Sequence, residues 1–379
     1  MIDVHSHILN FGCCPDKWLE KFTHIPKIEL ILKFPFSKFI LNLCSKLIKG
    51  KSFKRVDEMI KIFKTDLFGV GNILKEEMEE ASIKLSIPLM MDLDYATKNE
   101  YTAELDYGIQ IEILKRVAKH HYGKIMPFVG FDPRRADSAK FVVHSLINKG
   151  MLGIKIYPKL GFHPSPKSMI NSPETNMNLK LIYEYCQENK IPITTHCSSG
   201  GAYSEDLIGS KEERNTLVHP TAWEEVLELY PRLYLNLGHL GGDIGGVGSR
   251  LWFPYALELL NKYENVYGDL AYNTQVHKEK EKDAFFKVIN TKVFPHDKIL
   301  FGTDWSMIRH TYTIKEYIVP FLTGFRNKEI GDKILYKNAI KFLFPNNEIP
   351  ERIRVALSKT IEDTPKWLQN KFNLNKESI

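Results

Sequence analysis

The 379-residue chain predicts a (β/α)₈ barrel with a long helical insertion after its first strand, and three observations lead there. Eight short, continuous apolar runs are distributed along the chain, and segments with helical periodicity separate most of them. Chemically capable polar residues stand at the C-terminal ends of several runs. In a closed barrel those ends converge on one site, whereas in an open sheet most would lie far apart. No G-x-G-x-x-G follows the first run, so the dinucleotide fingerprint of an open doubly wound sheet is missing.

In chain order the predicted strands are MIDVHSH (1–7), IPLMMDLD (87–94), IMPFVGFDP (125–133), LGIKIYP (152–158), IPITTHC (191–197), LYLNLGHLG (233–241), NVYGDLAY (265–272) and ILFGTDWS (299–306). Each is short and apolar enough to be buried on both faces of a parallel sheet. Helical spacing of apolar residues marks 107–121, 177–189, 220–230 and 251–263. Residues 1–345 thus read as one barrel. The stretch 10–86 is far longer than an ordinary strand-to-strand connection. Within it, residues 17–64 carry twelve Lys and Arg against four Asp and Glu, and 28–49 interleave apolar with basic residues around Pro35. A helical lid over the barrel mouth fits this best, because an insertion after the first strand emerges at the catalytic face; a membrane-surface helix is the second reading. Residues 346–379 are polar and read as a C-terminal helix and tail.

Composition narrows the class. A hydrophobic fraction of 43%, a charged fraction of 26% and a net charge of +6 belong to an ordinary globular chain, without the clustered basic face of a nucleic-acid binder. The five cysteines are irregularly spaced and include no C-x-x-C pair, which points to a reducing cytoplasm and away from a disulfide scaffold or zinc ribbon. The N-terminus lacks the pattern of a signal peptide, and no apolar stretch is long enough to span a bilayer.

His5 and His7 alternate on the first strand, so both imidazoles share one face. Two inward imidazoles are costly to desolvate unless a divalent ion binds them; the alternative is an exposed pair near the N-terminus. His196 ends the fifth strand, His239 the sixth and Asp304 the eighth. Each alone reads equally well as a hydrogen-bonded strand-end residue. Together, histidine nitrogens and a carboxylate oxygen suit zinc or a similar ion.

This set resembles the amidohydrolase superfamily, and YPRLYLNLGHLGG, GTDW and KILYKNAIKFLF resemble its amidohydrolase-related branch. That branch holds hydrolases and aminocarboxymuconate semialdehyde decarboxylase-like enzymes. The likeness spans roughly residues 1–345 and leaves out most of the insertion. It implies His5, His7, His196 and Asp304 as metal ligands, most simply of one Zn²⁺. It implies His239 as a catalytic base or electrophile, or as ligand to a second ion. The second ion would require a carbamylated lysine on the fourth strand, where Lys155 stands in GIKIYP. Lys155 otherwise reads as a substrate contact or as a buried amine paired with Asp132 or Asp92.

A divalent ion lowers the pKa of the water it holds from 15.7 to about 7. Asp304 can then take a proton from that water, and His239 can stabilise an oxyanion. The leading expectation is hydrolysis of an amide, lactone or ester in a small cyclic or carboxylate-bearing substrate. The alternative is non-oxidative decarboxylation by the same parts, and a third reading is a non-catalytic barrel whose insertion binds a partner or membrane. Tyr157, two positions from Lys155, shares its face and is a candidate substrate contact. Arg134 in GFDPRR is a candidate carboxylate clamp, against a solvated-surface reading, and Arg250 and Trp252 could reach the site from the glycine-rich loop after His239. Asp269 reads as structural or as supporting the site, and the remaining histidines as surface or loop residues. A small-molecule substrate is the partner expected, in a chain that could form a homo-oligomer.

Overall fold

The structure is a computed structural model that describes residues 1–15, 55–97, 103–203, 209–242, 244–245 and 252–376. Among these residues the strands are β1 (Ile2–Ser6), β2 (Leu85–Pro88), β3 (Phe128–Phe131), β4 (Gly153–Ile156), β5 (Ile193–His196), β6 (Leu235–Gly238), β7 (Val266–Asp269) and β8 (Ile299–Leu300). All eight expected strands form, and all pair in parallel. Two ladders hold them, β1-β2 and β3 through β8 in sequence order. Isolated bridges join the ladders, Ser86 to Ile125 and Leu89 to Phe128 on one side and Ser6 to Trp305 on the other. Backbone bonds from Val4 N to Phe301 O (3.0 Å) and from Asp304 N to His5 O (2.7 Å) complete the β8–β1 seam. The ring closes, and the fold is a TIM barrel.

The second strand begins two residues before the expected 87–94 and ends at Pro88. Beyond it the chain stays buried through Leu93, held by the Leu89–Phe128 bridge and by backbone bonds from Leu89 N to Ser6 O (2.8 Å) and from Met90 N to Phe128 O (3.1 Å). Alternation along β1 explains which face looks inward. Ile2 and Val4 pack outward with Leu85, Ile87, Phe128, Leu368 and Phe372, so Asp3 and His5 face the barrel interior. The outward cluster includes the helix Lys366–Lys376, which with Glu351–Ala356 supplies the helices of the described residues in 346–376.

Between β1 and β2 the described residues form the helices Val56–Lys64 and Leu67–Glu80. Asp66 caps the second by accepting from Gly69 N, and Leu67, Val70, Leu74 and Met78 line its buried face. Arg309 pairs with Glu58 (2.6 Å) and Glu77 (2.8 Å), tying both helices to the segment after β8. The basic stretch 28–49, and with it the lid expectation, lies outside the described residues. No helix among the described residues is long and apolar enough to cross a membrane.

Candidate metal centre

Four histidines meet inside the barrel, each reaching it from a strand end. The His5 ring lies 5.4 Å from His7 and 4.7 Å from His239, and His239 lies 4.8 Å from His196, centroid to centroid. All four are at least nine-tenths buried. On each ring one nitrogen donates to an acceptor that cannot donate back. His5 Nδ1 bonds Asp269 Oδ2 at 2.8 Å, and His7 Nδ1 bonds the Leu89 carbonyl at 2.7 Å. His196 Nε2 bonds the Gly200 carbonyl at 3.0 Å, and His239 Nδ1 bonds the Ala271 carbonyl at 3.1 Å. On neutral His5, His196 and His239 the second nitrogen therefore keeps its lone pair, the arrangement that outer partners impose on metal-binding histidines, while the second nitrogen of His7 faces Asp304 Oδ1 at 3.1 Å.

His5, His7 and Asp304 each bring one ligand atom within 4.8 Å of the others. His7 Nε2 is 3.1 Å and His5 Nε2 3.8 Å from Asp304 Oδ1, and His5 Nε2 is fully buried without a hydrogen-bond partner. A buried, orphaned imidazole nitrogen beside a carboxylate fits a divalent cation. Burial pushes the Asp304 carboxyl upward, but the His7 hydrogen bond and the charges of His7, His5 and His239 hold it below its ordinary value. A second grouping, His5, His239 and Asp269, has the same span. Its carboxylate is already committed: Asp269 accepts from His5, from His239 N (2.9 Å), from Ala271 N (3.0 Å) and from Asn236 Nδ2 (2.7 Å). Asp269 therefore positions His5 and His239, while the grouping with Asp304 is the better cradle for a cation. His196 stands outside both groupings and adjoins them through its contact with His239.

The backbone is bent to present these groups. His239 and Asp304 hold φ of +67° and +61°, a left-handed conformation that costs a non-glycine residue of order 1–3 kcal/mol. His239 follows β6 directly and Asp304 stands four residues after β8, so each left-handed residue turns the chain as it leaves its strand.

Lys155 points into the same interior. It is 1% exposed and its Nζ has no hydrogen-bond partner, the Tyr157 ring lying 5.5 Å away. Burial lowers its pKa to about 8, against the opposing pull of Asp269 and Asp304. It does not pair with Asp132 or Asp92, since those carboxylates are held by Arg134 and Arg135. Tyr157 stacks on His196 at 4.5 Å and 13°. Arg134 is not the open clamp expected of it. Its guanidinium bonds Asp132, two residues back, and the Tyr95 carbonyl (3.0 Å), and it lies over the rings of Tyr95 and Phe162. Arg250 lies outside the described residues, and Trp252 packs against His219 at 5.1 Å.

Two contributors went unread in the sequence. Asp3 continues the alternation of His5 and His7, and accepts from Thr303 N (2.9 Å), Thr303 Oγ1 (2.6 Å) and His5 N (3.1 Å). Its full burial raises its pKa to about 7. Period-two spacing was the available signal. The other is Lys159, considered below.

A parallel barrel with a histidine and aspartate cluster at its C-terminal end defines the class of the protein, a TIM-barrel enzyme. The chain belongs to the amidohydrolase family, whose model matches residues 2–344. Solved structures share the fold. An uncharacterized TIM-barrel protein from Bordetella bronchiseptica is 16% identical at a TM-score of 0.55, covering 95% of this chain and 99% of its own. 5-Carboxyvanillate decarboxylase from Novosphingobium aromaticivorans, with bound manganese, is 13% identical at 0.57, covering 90% and 96%. 2,6-Dihydroxybenzoate decarboxylase from Rhizobium is 14% identical at 0.53, covering 90% and 99%. No curated protein matches the chain.

Proposed function

We propose that this amidohydrolase-family protein is a divalent-metal-dependent decarboxylase of a small aromatic or otherwise unsaturated carboxylic acid. The observation that carries the reading is Lys155, a buried ammonium without a partner beside the histidine cluster. An unpaired buried cation is expensive, and an anionic substrate group would offset that cost. The decarboxylase activity of two fold relatives supports the choice over the hydrolysis expected first.

His5, His7 and Asp304 would hold one ion, with His196 as a further ligand, and the nitrogen-rich donors favour zinc. When bound, the ion supplies Lewis-acid charge that orients and polarises substrate oxygens. Lys155 binds the substrate's anionic group, and Tyr157 closes the wall behind it. The bare Nε2 of His239 takes up a proton and delivers it to the carbon bearing the carboxylate. That proton is bonded by a π pair of the unsaturated system; when the carbon–carbon bond then breaks, its electron pair restores the unsaturation while carbon dioxide leaves. Hydrolysis of an amide, lactone or ester is the second reading, favoured by the depressed pKa of Asp304, which keeps that carboxylate available as a base. The free thiols Cys13, Cys14, Cys186 and Cys197 support a cytoplasmic setting.

The experiment is to load the protein with Zn²⁺ or Mn²⁺ and offer carboxyl-¹³C hydroxybenzoates and unsaturated acids beside a panel of lactones and amides. Labelled carbon dioxide supports decarboxylation. Turnover of the lactone or amide panel without it replaces that reading with hydrolysis.

A further inference from the structure

We propose that Lys159 is a positioning residue for His196, holding the carbonyl that decides which nitrogen of that imidazole carries the proton. The proposal rests on reading His196 as a metal ligand.

Lys159 follows β4 in the short turn Pro158–Leu160 and is 2% exposed. Its ammonium donates to two backbone carbonyls in the loop after β5, Ser199 O at 2.6 Å and Gly200 O at 2.7 Å. No carboxylate among the described residues pairs with it, and its charged neighbours Lys211 and Arg214 repel it. A lysine buried under those conditions contributes little to stability; the two carbonyls are what it organises. Gly200 O also accepts from His196 Nε2 at 3.0 Å, and Ser198 Oγ lies 3.2 Å from the same nitrogen. A carbonyl cannot donate, so Nε2 bears the hydrogen and Nδ1 keeps the lone pair a ligand needs.

The other three histidines do not need such help. His5 is held by the Asp269 side chain, His7 by the carbonyl of Leu89, which is bridged to Phe128, and His239 by Ala271, whose N–H is tied to Asp269. Ser199 and Gly200 lie in an irregular bend, where among the described residues Lys159 and His196 alone donate to their carbonyls. Tyr157, two positions before Lys159, covers the His196 ring face. One short segment after β4 therefore grips His196 twice, by its face through Tyr157 and by its edge through Lys159 and Gly200.

The test compares metal-free wild type with Lys159→Met and Lys159→Arg, labelled with ¹⁵N-histidine and recorded in two-bond ¹H–¹⁵N spectra. The His196 signals are assigned by their loss in His196→Ala. Wild type is expected to show His196 protonated on Nε2, Lys159→Met a mixture of both tautomers, and Lys159→Arg, which keeps a donor fork, the wild-type pattern. Zn²⁺ affinity by chelator competition should fall roughly 10- to 100-fold in Lys159→Met and recover in Lys159→Arg. If Lys159→Met does not fold, Lys159→Gln, uncharged but still a donor, takes its place with a smaller expected shift. An unchanged His196 tautomer in the folded variant overturns the proposal. A wild type that binds no Zn²⁺ overturns the ligand reading instead, and the tautomer still decides the part played by Lys159.

Discussion

Asp269 grips His5 with one carboxylate oxygen, at 2.8 Å from Nδ1, and with the other takes the backbone N–H of His239 at 2.9 Å. Strand β7 thereby sets the orientation of a ring on β1 and the turn that presents a ring after β6. Burial opposes ionisation of Asp269, yet His5 and His239 hold its pKa far below the ordinary carboxylate range. Asp269→Asn keeps the size but loses the negative acceptor. Affinity for Zn²⁺ is expected to fall roughly 10- to 100-fold, as it does when outer partners of metal-binding histidines are removed. Chelator competition on the purified variant measures this; affinity equal to wild type would separate Asp269 from the centre.

Lys155→Met removes the buried ammonium and keeps the length of the side chain. A charge-assisted contact is worth roughly 1.5–3 kcal/mol, so KM for an acidic substrate should rise about 10- to 100-fold. Folding stability should hold or increase, because an unpaired buried charge is replaced by an apolar group. Steady-state kinetics with thermal melting checks both. A raised KM together with a large loss of stability would mark Lys155 as structural rather than as a substrate anchor.

The barrel was legible because its strands are continuous apolar runs, a local property that survives without knowledge of packing. That His5, His7, His196, His239 and Asp304 come together was legible for a related reason: each stands at or near the point where such a run stops. What could not be read depends on contacts across the fold. Nothing in GFDPRR shows that Arg134 turns back onto Asp132, or that Arg135 takes Asp92 and Asp94 at 2.8 and 2.7 Å. Lys155 was identified as a strand residue, but its lack of a partner emerges only once those acids are seen to be occupied. Lys159 lies 40 residues from Ser199, and no periodicity links them. β2 was placed late because buried, mostly apolar residues continue past Pro88, where the regular strand ends.

His121, read from sequence as a surface residue, is 9% exposed and donates from Nε2 to Asn72 Oδ1 at 2.8 Å. Burial, then the charges of His120, Lys75 and Lys124, lower its pKa to about 4, with Glu79 opposing. An unfolded histidine titrates near 6.5, so as pH falls the unfolded chain takes up this proton first. The contribution of His121 is therefore complete above about pH 6.5 and is lost as pH falls toward 4. Urea unfolding at pH 7, 5.5 and 4.5 should show wild type losing on the order of 1–3 kcal/mol more than His121→Gln across that window. Parallel pH profiles would mean that His121 titrates normally in the folded protein.

Gly201 tests the coupling between loop and ligand most directly. Its φ is +82°, and an added Cβ would lie 2.3 Å from Tyr157 Oη and 2.7 Å from His196 Cε1. Gly201→Ala therefore suffers twice: a left-handed conformation unfavourable to alanine by about 1 kcal/mol or more, and a collision with the two stacked rings. Its neighbour supplies the control, because a Cβ on Gly200 would meet only Ser198 Oγ, at 3.8 Å. Gly201→Ala should lower the melting temperature by several degrees and weaken Zn²⁺ binding by tenfold or more, while Gly200→Ala should do neither. The comparison separates general loop damage from displacement of His196, since both substitutions add one methyl group to the same bend. Equal metal affinity in the two variants would show that the loop can yield without moving the ring, and that the stacking of Tyr157 on His196 does not govern the ligand.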